Sequence, residues 1–229
     1  MKIRRTLTAL ILAVSMIVCG SSFAKADMLK EAVPVPEGYG LYPDMEVKGE
    51  YNLVPVTVNG IETMIPDTWV LSESDTIQGY LLIQRANPTA GDNISIMVSE
   101  YLGRDFEDPD VTDFTESFGE QAATLGYDIT TQPMMVLVDG NRAMYYDYDV
   151  NATEEMLDLT IETGALPQEI VDLLGREYVM QLLSCHQAGI MRVIDGNIVL
   201  VTGTYYDPAV KDEIVDILQL MSLNAKITG

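Results

Sequence analysis

Apolar and polar residues alternate with a period of two over several short stretches, and turn words punctuate them. Val58-Asn59-Gly60-Ile61 is the plainest case. A two-residue turn at Asn59-Gly60 pairs Val58 with Ile61, Val56 with Thr63 and Val54 with Ile65, and sets Thr57 opposite Glu62. Pro55 predicts an edge strand, where a missing N–H does no harm. Val138-Asp139-Gly140-Asn141 and Ile194-Asp195-Gly196-Asn197 carry the same turn chemistry. Their flanks do not match, so this is no internal repeat. Further strands are predicted at Trp69–Glu73, Gly79–Arg85, Ile94–Tyr101, Pro133–Val138, Arg142–Val150, Glu177–His186, Gly189–Ile194 and Ile198–Tyr205. In Arg142–Val150 the residues Met144, Tyr146, Tyr148 and Val150 share a face, with Asp147 and Asp149 on the other. Such alternation predicts an antiparallel sheet covered on one face.

Helical spacing governs two other stretches. Val111, Phe114, Phe118, Ala122 and Leu125 form one apolar stripe, with Asp113, Glu116 and Glu120 outward and Asp110 as the cap. Near the C-terminus, Asp207 is a natural N-cap and Pro208 suits the first helical position. Val210, Ile214, Ile217, Leu218 and Met221 follow as the stripe. Residues Glu154–Gly175 predict two short helices, broken by Gly164 and Pro167. The order of strands, helix, strands, helix is that of an α+β layer, with helices on a mostly antiparallel sheet.

The N-terminal residues 1–26 read as a secretory signal. Lys2, Arg4 and Arg5 start it, Leu7 to Val18 is the apolar run, and Ala24-Lys25-Ala26 is the cleavage site. The run is too short to span a bilayer. Cys19 offers a lipoprotein tether as the alternative, but Val18 stands where a small residue is wanted. Residues 27–50, with Pro34, Pro36, Gly38, Gly40 and Pro43, are expected to be an extended acidic leader. Ordered structure is expected from about Leu53, within one domain over 51–229 that carries a helical insertion near 151–175.

Cleavage after Ala26 leaves 9 basic and 35 acidic residues, a formal charge of −26. The basic residues are scattered singly, so nucleic acid and anionic membrane surfaces are excluded as partners. The mature chain holds no expected transmembrane helix. Cys185 is then the only cysteine, so no intramolecular disulfide can form and the core alone must stabilise the domain. Cys185 itself reads as a small buried hydrophobe.

Several stretches together resemble the Mog1/PsbP-like family. They are the opening hairpin into Ile65-Pro66-Asp67-Thr68-Trp69, the strand Ile94–Tyr101, and a helix ending at Leu125-Gly126-Tyr127. Val138-Asp139-Gly140-Asn141-Arg142-Ala143 with its tyrosine-rich strand follows, then Asp195-Gly196-Asn197-Ile198-Val199-Leu200-Val201-Thr202 and an Asp-Pro-capped helix. The pattern covers roughly residues 53–223, and the segment 151–175 is longer than the family's usual connection there. The resemblance implies a mostly antiparallel sheet sandwiched by helices, in proteins that mostly act by binding other proteins. It carries no motif residues through which a site transfers.

No assembled chemistry emerges from the residue types. His186 is the chain's one imidazole and follows Cys185 directly; on a strand the two point to opposite faces and make no dyad. No Gly-x-Ser-x-Gly elbow supports a distant triad. One His and one Cys cannot build a zinc site. Asp147, Asp149, Asn151 and Asp158 match positions of a calcium loop, but Ala152 replaces the required Gly. The acids Asp105, Glu107, Asp108, Asp110 and Asp113 suit a helix N-terminus. Gly91-Asp92-Asn93 and Leu102-Gly103-Arg104 lack the phosphate-loop pattern. Tyr145, Tyr146, Tyr148, Tyr205 and Tyr206 could line a surface, although tyrosine is also a favoured strand residue. No catalytic, cofactor-binding or metal-binding residue is therefore assigned, and no cofactor is expected. The expected function is a secreted, non-enzymatic binding domain for a protein or cell-envelope component. A carboxylate-dependent, glycosidase-like hydrolase and a calcium-dependent adhesion module are the alternatives.

Overall fold

The computed structural model describes residues 42–72, 79–86, 91–125, 127–162, 164 and 166–228. The expected signal, Cys19 and most of the leader lie outside them. Strands β1 (Asp44–Met45), β2 (Leu53–Val58), β3 (Ile61–Pro66), β4 (Trp69–Leu71), β5 (Tyr80–Arg85) and β6 (Asn93–Tyr101) precede helix α1 (Asp108–Leu125). Strands β7 (Tyr127–Val138) and β8 (Asn141–Val150) follow. Short helices α2 (Glu154–Glu162), α3 (Gln168–Leu174) and α4 (Arg176–Leu183) then lead to β9 (Cys185–Ile194) and β10 (Asn197–Tyr205). A 3-10 turn, α5 (Lys211–Asn224) and β11 (Lys226–Ile227) close the chain.

An eight-stranded sheet runs in the order β1-β7-β8-β9-β10-β6-β5-β4, and β11-β3-β2 form a smaller one. Every pairing is antiparallel except the short parallel contact of β1 with β7. The first hairpin has the predicted register, Val58 to Ile61, Val56 to Thr63 and Val54 to Ile65. Its β2 is an edge strand, as Pro55 requires. All three two-residue turns share one conformation: Asn59, Asp139 and Asp195 have φ of 50–51° and the glycines after them 72–81°. Positive φ at both central residues matches the right-handed twist of the flanking strands.

Helix α1 covers one face of the large sheet. Phe114 and Phe118 stack on each other and pack on Tyr146, while Phe118 also meets Tyr148 edge-on. The α1 core also holds Met144, Val150, Cys185 and Met191. Gly189 makes the fit possible, because a Cβ there would lie 2.6 Å from the Tyr146 ring. The opposite face is covered as well, as the sandwich implied by the resemblance requires, although the period-two alternation alone suggested cover on one face. There Ile214, Ile217, Leu218 and Met221 of α5 and Ile61 and Ile65 of β3 pack on Ile83, Ile94, Ile190 and Val201. Gly203 lets α5 approach, since its Cβ would fall 2.4 Å from Ile214 Cγ2. Arg85 ties β5 to α5 by a bidentate pair with Glu213 at 2.9 Å.

Three local expectations change. Glu177–His186 is helix α4 up to Leu183, with strand only from Cys185. Val179 and Leu183, four apart and buried, face a small core with Leu157, Leu166 and Val171, while the neighbouring Tyr178 is exposed. Residues 154–175 hold the two expected short helices, and α4 carries the helical insertion on to Leu183. Asp110 lies within the first turn of α1, which begins two residues earlier. Its carboxylate reaches back to the Glu107 N–H at 2.7 Å and grips Arg104. Residues 42–50, expected in the leader, are docked together with Tyr51. The Asp216 carboxylate on α5 accepts the Lys48 and Gly49 N–H groups and the Tyr51 hydroxyl at 2.8–3.1 Å.

Candidate functional site

Two places on the sheet gather polar or cleft-forming side chains. The first is a row crossing four strands. Asp128, Asp149, His186 and Tyr205 are successive register partners on β7, β8, β9 and β10. His186 Nδ1 meets Asp149 Oδ1 at 2.5 Å, and its ring stacks on Tyr205 with centroids 5.3 Å apart. Burial raises the Tyr205 hydroxyl, helped by the Asp147 and Asp149 charges, so it stays neutral. One rung further in, Asp147 is 2 % exposed and accepts from Tyr145 and Thr131 hydroxyls at 2.8 Å, from the Thr130 hydroxyl, and from Lys211 Nζ at 2.9 Å. Burial pulls its carboxyl up, but the hydrogen bonds from Thr130, Lys211, Tyr145 and Thr131 outweigh this and hold it below its usual value. Asp147 is therefore a satisfied core anion, not the wet strand face that alternation suggested.

This row orients an imidazole with a carboxylate, which is half of a nucleophilic apparatus. Among the described residues His186 contacts Asp149 and Tyr205, neither of them a serine. Cys185 points to the α1 side, and burial pushes its thiol up to about 12. The calcium template is dispersed: Asp147 pairs with Lys211, Asp149 with His186, Asp158 on α2 with Arg176, and the Asn151 amide donates to Asp128. Among the described residues no group of three or more His, Cys, Asp and Glu is arranged to hold a metal ion. Tyr146 and Tyr148 belong to the α1 core, and Tyr205 is 3 % exposed, so these tyrosines do not make an open surface. Tyr206 donates its hydroxyl to the Leu182 carbonyl at 3.1 Å, joining sheet to insertion.

The second place is a shallow groove of about 530 Å³ between α1 and the rim of the sheet. Tyr42, Asp108, Val111, Thr112, Thr115, Glu116, Pro133 and Met135 line it. Helical spacing puts Asp108, Val111, Thr112, Thr115 and Glu116 along one side of α1. Within the lining, Tyr42 donates its hydroxyl to Asp108 at 2.7 Å. Beside the groove, β7 is paired with β8, while β1 covers its outer edge only at Leu137 and Val138. Register shifts between Ile129 and Thr131 and between Thr131 and Met134 bend the rest, and Pro133 removes a donor. Nothing local in the sequence marks this groove, because its lining comes from three distant segments. The Phe114–Phe118 stripe fixed which side of α1 is buried and hence which lies beside the rim.

No protein-family model matches the chain, and no curated protein does. Solved structures do. The solution structure of cyanobacterial PsbP (CyanoP) from Synechocystis sp. PCC 6803 is 12 % identical, with 82 % of this chain and 99 % of that one covered and a TM-score of 0.45. The Saccharomyces cerevisiae Ran-binding protein Mog1p is 10 % identical over 78 % and 97 %, with a TM-score of 0.47. LpqN, involved in cell envelope biogenesis of Mycobacterium tuberculosis, is 14 % identical over 83 % and 100 %, with a TM-score of 0.41. A PsbP and a Mog1 protein are thus among the structures this chain is similar to. The α+β class itself is set by the chain's own antiparallel strand order and its helices on both faces. No helix among the described residues is long and apolar enough to cross a membrane.

Proposed function

We propose that this chain is a non-enzymatic binding module of the extracytoplasmic space, and that the groove between α1 and β7 is where it holds a protein or cell-envelope partner. The carrying observation is the groove itself. Its lining combines apolar Val111, Pro133 and Met135 with the polar groups of Thr112, Thr115 and Glu116 and the ring of Tyr42. Its volume falls within the roughly 300–1,000 Å³ of ordinary ligand sites. Export fits the basic-apolar-small order of residues 1–26. Selecting peptides from a random library against residues 27–229, which hold every described residue, tests the reading. Their contacts are then mapped through the Met134 and Met135 methyl signals. Shifts centred on Met135 are expected, and shifts confined to the His186 row would contradict the groove.

A hydrolase of another kind than the carboxylate-dependent one expected, built on His186, has one observation behind it, the 2.5 Å contact of Asp149 with His186. It requires that His186→Ala abolish turnover of an extracellular polymer. The binding reading requires the same variant to keep the selected peptides at unchanged affinity.

A further inference from the structure

Resting on the binding reading of the groove, we infer that its occupant is a short extended segment of a protein in which Lys or Arg alternates with aliphatic residues. The segment is short because regular backbone is short on the β7 rim. The N–H of Leu137 already goes to the Pro43 carbonyl at 2.9 Å. Alternation then turns the Met135 N–H outward. Beyond it stand Pro133 and the register shifts, so an added strand finds a regular edge only near Met134–Val136. Aliphatic side chains fit because Val111, Pro133 and Met135 supply the groove's apolar lining.

Charge selects the rest. Helix α1 bears Asp108, Asp110, Asp113, Glu116 and Glu120 and no Lys or Arg. Asp110 is neutralised by Arg104, but Asp108 and Glu116 both line the groove. Arg142, outside the lining, sits 5.9 Å from the Tyr42 ring and donates to the Phe106 carbonyl at 3.2 Å. A formal charge of −22 for the whole chain, −26 over residues 27–229, adds long-range attraction for a cationic partner. Because the groove is open, these pairs are exposed to solvent and sensitive to salt.

Two defined peptides test this, an acetylated Lys-Val-Lys-Leu-Lys-Val amide and its Glu-for-Lys counterpart, each titrated into residues 27–229 while the Met135 methyl is followed. The Lys peptide is expected to move that signal and to weaken about tenfold on raising salt from ~50 to ~300 mM. Glu116→Gln is expected to weaken it a further ~2–5-fold, the range of an exposed ion pair. Equal binding by the Glu peptide, or no dependence on salt, overturns the cationic partner. If library-selected peptides of other composition move Met135 while the Lys peptide does not, this inference fails and the binding reading stands. If no peptide moves it, both fail. A Met135 signal moved by Tyr39→Ser or Leu41→Ser without peptide would assign the groove to the chain's own upstream segment and likewise overturn the inference.

Discussion

The Asp147 carboxylate and the Lys211 ammonium meet at 2.9 Å where the large sheet passes beneath the start of its last helix. Asp147 is almost fully buried, while the Lys211 side chain is 42 % exposed. The two partners are therefore unequal. Lys211→Met leaves the Thr130, Thr131 and Tyr145 hydroxyls on the carboxylate and is expected to cost about 1 kcal/mol, since a half-exposed ammonium is partly screened. Asp147→Leu strands three hydroxyl donors and is expected to cost about 2–4 kcal/mol. Urea denaturation of both variants checks the asymmetry.

The same carboxylate gives a pH dependence. Its folded pKa is lowered, so the folded state binds its proton less readily than the unfolded chain, whose Asp titrates near ~3.9. Its contribution is then complete above about pH 5 and is lost as pH falls through the folded value. The stability gap between wild type and Asp147→Asn is expected to be constant from pH 5 to pH 8, on the scale of ~1–3 kcal/mol, and to shrink below about pH 4. A gap that widens in acid would contradict this assignment.

Glycine substitutions separate two kinds of constraint. Gly140 has φ of +72° with open space around its Cβ position, so Gly140→Ala is expected to cost only backbone strain, ~1 kcal/mol. At Gly189 the new methyl would strike the Tyr146 ring, which Phe114 and Phe118 hold in place. Overpacking there is expected to cost about 1–3 kcal/mol or more and to broaden the aromatic NMR signals of the α1 core. Thermal midpoints of the two variants should differ in that order.

Much of this architecture can be read in the sequence, and the missing parts share a cause. Asn59-Gly60, Asp139-Gly140 and Asp195-Gly196 fix their hairpins because the turn type sets the register locally. The Phe114–Phe118 stripe fixes α1, and Asp207-Pro208 marks the entry to α5: the Asp207 carboxylate accepts the Ala209 N–H at 2.9 Å, opening a 3-10 turn. Contacts between distant segments are not local. The register of β8 on β9, which brings Asp149 to His186, crosses a helical insertion whose length carries no register information. Lys211 and Tyr42 look like ordinary surface residues until α5 and β1 dock. Residues 177–183 failed for a different reason: Tyr178, Met180 and Leu182 alternate as well as Val179 and Leu183 repeat, and only the small core of the insertion decides between them.

Cys185 supplies a check on the α1 core. Its thiol is buried and raised to about 12, so it is inert in the native chain. A disulfide reagent at about pH 8 is expected to find no reactive thiol in native residues 27–229 and one after denaturation. Rapid native reaction would mean that the α1 face opens.

The central claim is that the groove between α1 and β7 does the binding. Thr112 is exposed on its wall, so Thr112→Trp fills the groove without disturbing a core position. The measurement is the affinity of library-selected peptides for wild type and for Thr112→Trp at matched thermal stability. Loss of affinity by about tenfold or more, some 1.4 kcal/mol, is predicted. Unchanged affinity in the filled variant would place the binding surface elsewhere on the molecule.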